Sequence, residues 1–338
     1  MKYHRILLIA LLFSACQDDH GIANKISFYH WGSEWSPNAT ELGLLKQTFN
    51  YSSGRIYLHL FDLKMIDEKV QKVSTLEVLK PIPDGYCAVP VVYIENKVFE
   101  TSDDSLAMKV NDVVSRMLKQ QSFCVEELQI DCDWSEKTKE AYFLFLKKLK
   151  EITGWKISTT IRLHQIKFSD RTGVPPVDRG VLMYYNMGKI TGDNRNSILD
   201  NQIGEQYLDE FDKYPLPLDL ALPCYHWWIQ LRDGIPIELI TKWKVEPSEQ
   251  IDLFEPVNEG FYKVRKSGFY ASCYLKEGDI LKREISEEKE LFHAAKTFKK
   301  RIHQPFEEVI FFELDSTHIS SFDASFFSSF VLNDSTNH

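Results

Sequence analysis

Glu127-Leu128-Gln129-Ile130-Asp131-Cys132-Asp133-Trp134-Ser135-Glu136 is the stretch that decides how the chain is read. Strand side chains alternate, so Gln129, Asp131, Asp133 and Ser135 fall on one face, with Leu128, Ile130, Cys132 and Trp134 on the other. Carboxylates on one side and apolar groups on the other fit the wall of a parallel barrel. The acids then point to the barrel mouth, and the apolar side meets the outer helices. From Lys137 to Ile152 the pattern becomes an amphipathic helix. Ala141, Tyr142, Phe145, Leu146 and Leu149 recur at helical spacing, and Lys147, Lys148 and Lys150 gather toward the end that favours cations. Strand, acidic end and helix make one βα unit. Two aspartates at this spacing also serve merely to cap a helix, so the stretch alone leaves a structural and a functional role open.

The same alternation runs outward in both directions. Strands are expected at Lys25–Trp31, Arg55–Leu63, Val89–Ile94, the opening stretch, Trp155–Ile161, Gly180–Tyr185, Leu218–Leu222 and Val309–Leu314. Helices are expected at Glu41–Phe49, Asp104–Gln120, Ser197–Lys213 and Ser286–Arg301. Strands alternating with helices about eight times predict an α/β fold, a (β/α)8 TIM barrel over residues 25–325. The stretch from about 228 to 282 breaks the rhythm. Its Phe261–Val264 and Gly268–Leu275 runs and its Glu277-Gly278-Asp279 turn are hairpin chemistry, which predicts a small β-rich insertion after strand seven.

Composition narrows the function classes. The 338 residues carry a net charge of -9, with 43% hydrophobic and 26% charged residues, as in a soluble globular protein. No basic run stands out, which argues against nucleic acid as a partner. At the N-terminus, Lys2, His4 and Arg5 precede an apolar run from Ile6 to Phe13, too short to span a membrane. Leu12-Phe13-Ser14-Ala15-Cys16 resembles the bacterial lipobox, so residues 1–15 read as a lipoprotein signal peptide, Cys16 as the lipidation site and 16–24 as a tether. Gln17-Asp18-Asp19 resembles a surface-export signal of Bacteroidetes lipoproteins. The expected location is the outer membrane, periplasmic or surface-exposed, with the membrane met through the lipid. The five other cysteines show no metal-ligand spacing and read as mostly buried free thiols.

The strand ends together resemble the family 18 glycoside hydrolases, the chitinases and endo-β-N-acetylglucosaminidases. That family carries D-x-x-D-x-D-x-E on strand four, where this chain has Leu128, Asp131, Asp133 and Ser135. The strand-six Met-x-Tyr-Asp is matched by Met183, Tyr184, Tyr185 and Asn186. The strand-seven motif is matched by Ala221, Leu222, Pro223, Cys224 and Tyr225, and Phe312 and Asp315 take the places of Trp-x-x-Asp on strand eight. The chain is also similar to uncharacterised bacterial lipoproteins related to these barrels.

The resemblance implies an N-acetylhexosamine-containing glycan as the partner, substrate-assisted chemistry at Asp131, Asp133 and Tyr185, and no cofactor or metal. It also exposes two departures. Ser135 stands where the family has its general acid, and a hydroxyl is far too weak an acid to protonate a glycosidic oxygen. Asn186 replaces the strand-six aspartate. Glu136, one residue further on, and Glu313, which shares parity with Asp315, are the candidates for a relocated acid. Trp31, Asn186, Tyr225, Trp227, Phe312 and Asp315 are candidate substrate contacts, the aromatic rings offering faces for sugars. Three functions stay open: a hydrolase with a rearranged acid, a glycan-binding pseudoenzyme, and a structural lipoprotein used as an interaction platform.

Overall fold

The computed structural model describes residues 20–332 apart from 50–53, 102, 120, 122, 124, 242, 244, 245 and 271. Cys16 and Cys124 lie outside the described residues. Eight parallel strands close into a barrel: β1 Ala23–His30, β2 Arg55–Ile66, β3 Cys87–Ile94, β4 Glu127–Asp131, β5 Lys156–Arg162, β6 Arg179–Met183, β7 Leu218–Pro223 and β8 Phe306–Phe312. Each pairs with the next, and β8 returns to β1, with Phe28 opposite Phe311. This is the expected (β/α)8 architecture with shifted strand ends. Helices α1 Ala39–Phe49, α2 Leu106–Lys119, α3 Lys139–Thr153 and α4 Glu288–Lys299 pack outside. Helix α3 buries Tyr142, Phe145, Leu146 and Leu149, and Gly154 ends it in the left-handed conformation (φ 66°), its N–H bonded to the Lys150 carbonyl. No helix among the described residues is long and apolar enough to cross a membrane.

Two segments depart from plain strand–helix alternation for local reasons. No helix follows β2. That strand runs past the barrel and turns back antiparallel into Lys69–Val73. Asp67 and Glu68 both take positive φ (48° and 59°), the backbone of a tight two-residue hairpin turn. Nor does Ser197–Lys213 form one helix; it holds a short helix at Asn201–Glu205 and a 3₁₀ turn at Phe211–Lys213. Ser197 gives both its N–H and its hydroxyl to Glu284, and the Asn196 amide donates to the Ile285 carbonyl, so this segment is tied down before helix winds. Asp200 then caps the short helix by accepting the Ile203 N–H.

Between β7 and α4 lies the β-rich insertion. Strands Ile235–Ile240, His226–Arg232, Ile280–Ile285, Phe261–Val264 and Phe254–Asn258 form one antiparallel sheet in that order. Trp228, Trp243, Phe254, Val264 and Leu281 make its own small core. A buried ion pair stitches it to the loop after β6. Lys282 Nζ meets Glu284 at 2.6 Å and the carbonyls of Thr191 and Arg195, and the other Glu284 oxygen accepts from the Trp227 indole at 2.9 Å.

The barrel interior is polar at its lower end. Arg55 and Arg179 are held among Glu127, Asp219 and Glu308, with Arg55–Glu127 at 2.7 Å, Arg55–Glu308 at 3.3 Å and Arg179–Glu127 at 3.3 Å. Arg179 also contacts Asp219 and Glu308, and the Tyr57 hydroxyl donates to Glu308 at 2.7 Å. One layer higher, the Tyr29 hydroxyl donates to Gln129 at 2.7 Å. The acids are buried, the two arginines are partly so, and each is partnered, as a low-dielectric interior requires.

Candidate functional site

The mouth is built from the carboxyl ends of the strands, and β4 contributes the first acid. Asp131 is its last residue, buried, and accepts the Thr160 hydroxyl at 2.6 Å. Burial pushes its carboxyl above the ordinary value, opposed by Arg162 and by the Thr160 hydrogen bond. Asp133 lies beyond the strand end and is half-exposed. Arg162, the last residue of β5, grips both its oxygens: Nε on Oδ1, and Nη2 on Oδ2 at 3.2 Å. Burial disfavours the guanidinium charge, but Asp133 and Asp131 outweigh that and move its pKa upward. The pair is a two-point charge-assisted bond in which Asp133 is the acceptor.

Tyr93 at the end of β3 borders the same acids; burial first, then Asp131 and Asp133, push its hydroxyl up to about 12. It stays a hydrogen-bond donor at any physiological pH.

The opposite wall is aromatic. Phe312 sits among Tyr29, Trp31, Tyr185 and Tyr225 with ring centroids 5.5–5.8 Å away. Tyr185 is buried, its hydroxyl set against the Met183 sulfur at 3.4 Å, and burial raises its pKa well above normal. Asn186 takes positive φ (55°), a conformation its short amide tolerates, and its side-chain oxygen accepts the Tyr225 hydroxyl at 2.6 Å. Trp31 stacks on His59 at 4.4 Å, and His59 bonds Asp62 at 2.6 Å. Asp133, Arg162, Leu163, His164, Met183, Tyr185, Asn186, Met187, Ile203 and Tyr207 line a cavity of about 410 Å³. That volume falls in the range of ligand pockets, about 300–1,000 Å³.

The candidates therefore separate. Asp131, Asp133, Tyr185 and Asn186 come together, with Tyr225 and Phe312 behind them. Ser135 does not join them: β4 ends at Asp131, alternation lapses, and the Ser135 hydroxyl faces Thr138 at 3.2 Å and Asn96 at 3.4 Å. Glu136 is exposed and pairs with Arg171 at 2.6 Å. Asp315 caps the short helix Ser316–Ile319 by accepting from the Thr317 N–H and hydroxyl. Glu313 accepts the Trp31 N–H at 3.2 Å, on the β1–β8 side of the mouth. Trp227 gives its indole N–H to Glu284 and packs 5.5 Å from Tyr225. Among the described residues no cluster of His, Cys, Asp or Glu forms a metal site. Cys132, Cys224 and Cys273 are free thiols.

Sequence reading missed Arg162 and Tyr93. The signal for Arg162 was present. Ser158, Thr160 and Arg162 alternate with Ile157, Thr159 and Ile161, which marks a polar row on the inward face of β5.

No family model matches the chain, and no curated protein does. Among solved structures, the spore cortex-lytic enzyme SleL of Bacillus cereus shares the barrel with a TM-score of 0.55 at 13% identity, over 92% of this chain and 75% of that one. The chitinase-like agglutinin of Robinia pseudoacacia superposes with a TM-score of 0.46 at 12% identity, over 89% and 99% of the two chains. A GH113 β-1,4-mannanase gives 0.43 at 8% identity, over 93% and 91%. At such identity the likeness to SleL establishes the barrel fold, and the chemistry must be argued from the residues.

Proposed function

We propose that this protein binds N-acetylhexosamine-containing glycans in a glycoside-hydrolase-type cleft that has lost its proton donor. The observation that carries the reading is the fate of the strand-four acids. Asp131 and Asp133 stay at the mouth as acceptors for ligand hydroxyl and amide groups, while Ser135 and Glu136 turn away to Asn96 and Arg171. Tyr185 and Asn186 line the cavity and add hydrogen-bonding groups, Tyr93 borders the same acids, and the rings packed around Phe312 lie behind Tyr185. An acceptor-rich floor with an aromatic side suits a sugar, which presents hydroxyls at its edge and C–H groups on its face. In barrels of this kind active sites lie at the carboxyl ends of the strands, which is where this cavity lies.

Asp133→Ala and Tyr185→Phe are each expected to weaken binding of N-acetylglucosamine oligomers by about 1–3 kcal/mol, through lost buried hydrogen bonds. Calorimetry on the folded variants measures this. Absence of binding to any oligomer by the unmodified protein would favour the interaction-platform reading.

We further propose that the chain is a lipoprotein anchored through Cys16 in a bacterial outer membrane. Cys16→Ser should then abolish incorporation of labelled fatty acid and move the protein out of the membrane fraction. Undiminished label on the variant would remove the anchor.

A further inference from the structure

One stretch of chain supplies the outer wall of the cavity. Asn186, Met187, Ile203 and Tyr207 are four of its ten lining residues, and all belong to the segment 186–207 that follows β6. From 184 to 200 the chain forms neither helix nor strand, so its course is set by what it touches.

The two halves of the segment have different supports. The short helix Asn201–Glu205 is held by α4: the Asn201 amide donates to Glu290 at 2.9 Å, and Glu205 accepts the Thr297 hydroxyl at 2.8 Å. Residues 191–197 are held by the insertion instead. Gly192 lies so close to the turn at Gly234 that a Cβ there would sit 2.4 Å from the Gly234 carbonyl oxygen. Lys282 and Glu284, on the strand Ile280–Ile285, are both buried. An ammonium has three hydrogens to donate. Those of Lys282 are matched by Glu284 at 2.6 Å, the Arg195 carbonyl at 2.6 Å and the Thr191 carbonyl at 3.0 Å. The other Glu284 oxygen accepts the Ser197 N–H at 3.0 Å, the Ser197 hydroxyl and the Trp227 indole. The Asn196 amide adds its bond to the Ile285 carbonyl at 2.7 Å.

A short hydrogen-bonded path leads from this loop to the cavity. The Gly188 N–H donates to the Ser197 carbonyl at 3.3 Å, and the Asn186 N–H donates to the Ile198 carbonyl at 2.7 Å. Met187 lies between these two anchored amides. Asn186 has positive φ (55°), and a residue in that sparsely populated region persists only where its surroundings over-determine it. Here the Ile198 carbonyl holds its N–H and Tyr225 holds its side chain. An ammonium set between three oxygens has one place to sit, whereas purely apolar contact would let the loop slide.

We infer that Lys282 and Glu284 are positioning residues of the cavity. Neither lines it, yet together they fix residues 191–197 and, through Ser197 and Ile198, the wall at Asn186 and Met187. The insertion thereby becomes part of the frame of the binding site. As a statement about ligand affinity this rests on the proposed glycan reading; as a statement about the wall it does not.

The test replaces the pair by apolar groups of similar size, Lys282→Met with Glu284→Leu, which leaves no buried charge unpaired. Amide hydrogen exchange of the full-length protein is followed residue by residue by NMR. Exchange at Asn186 and Gly188 should accelerate by about tenfold or more, the worth of a hydrogen bond to a charged group. The Gly204 amide, bonded to the Asp200 carbonyl on the half held by α4, should keep its rate. Unchanged rates at Asn186 and Gly188 would show that the pair does not hold the wall. Equal acceleration at Gly204 would show general loosening instead of positioning, and either result would overturn the inference. Should the double variant fail to fold, Ser197→Ala is read in the same way: it deletes one bond to Glu284 and should accelerate Asn186 and Gly188 but not Gly204. Calorimetry on the same variant should show affinity for N-acetylglucosamine oligomers falling by about tenfold, as for one displaced ligand hydrogen bond. Undiminished affinity beside a loosened wall would refute the positioning role. If the unmodified protein binds no oligomer, the proposed function falls, while the exchange pattern still decides whether the pair holds the wall.

Discussion

Arg179→Met is expected to destabilise the protein by about 3–5 kcal/mol, the cost of leaving buried charge without its partner. Arg179 and Arg55 offset Glu127, Asp219 and Glu308 beneath the barrel floor. Removing one guanidinium leaves three buried acids facing one base. The excess is already visible in the native network: burial pushes Asp219 up to about 7, with Arg179 opposing, whereas the two arginines hold Glu308 below its ordinary value against burial.

Asp219→Asn should therefore be far milder than Arg179→Met, because it removes the charge that the network tolerates least. The signs set a pH window. The raised Asp219 carboxyl contributes stability that is full below its unfolded value of about 3.9 and lost as pH rises through about 7. The lowered Glu308 carboxyl contributes stability present above about 4.3 and lost as pH falls through its folded value. Stability should thus be greatest in the mildly acidic range, and Asp219→Asn should remove the decline on the alkaline side. Urea denaturation across pH measures both. An Arg179→Met protein as stable as the unmodified one would show that the charges are not confined as described.

The second large effect concerns catalysis. On the proposed reading, hydrolysis of chito-oligosaccharides should be very slow, because general-acid protonation contributes about 10²–10⁴-fold and Ser135 stands where the resemblance to family 18 expects the acid. An aryl glycoside with a good leaving group needs little protonation, so residual turnover should appear there first. Ser135→Glu with Asn186→Asp supplies the carboxyl groups that the resemblance expects at these two positions, yet any gain should be slight. Position 135 is directed toward Asn96 and Thr138, and Asp133 remains gripped by Arg162. A misplacement of about 1 Å costs on the order of 10²-fold. Adding Arg162→Met frees Asp133 and should yield the first measurable gain among these variants. Rapid turnover of natural oligosaccharides by the unmodified protein would place the acid elsewhere, and Glu313→Gln and Asp131→Asn are then the variants to compare.

What the amino-acid order determined by itself is the periodic part of the molecule. The eight strand-like runs, the helical spacing of Tyr142, Phe145, Leu146 and Leu149, and the turn-rich break after strand seven are local patterns, and each maps onto the element expected of it. Local pattern also placed Asp131 on the inner face at the end of strand four, since parity needs only neighbours in sequence. Tertiary structure decided what Asp131 and Asp133 meet. Arg162 is 29 residues from Asp133 in sequence and reaches it only because β4 and β5 are adjacent in the closed barrel. Parity was no guide past Asp131, where the ladder ends and Ser135 and Glu136 follow loop geometry instead of strand geometry. The stitching of Ser197 to Glu284 joins segments separated by 87 residues. Such contacts arise from packing between elements, and periodicity within one element carries no record of the neighbour it will face.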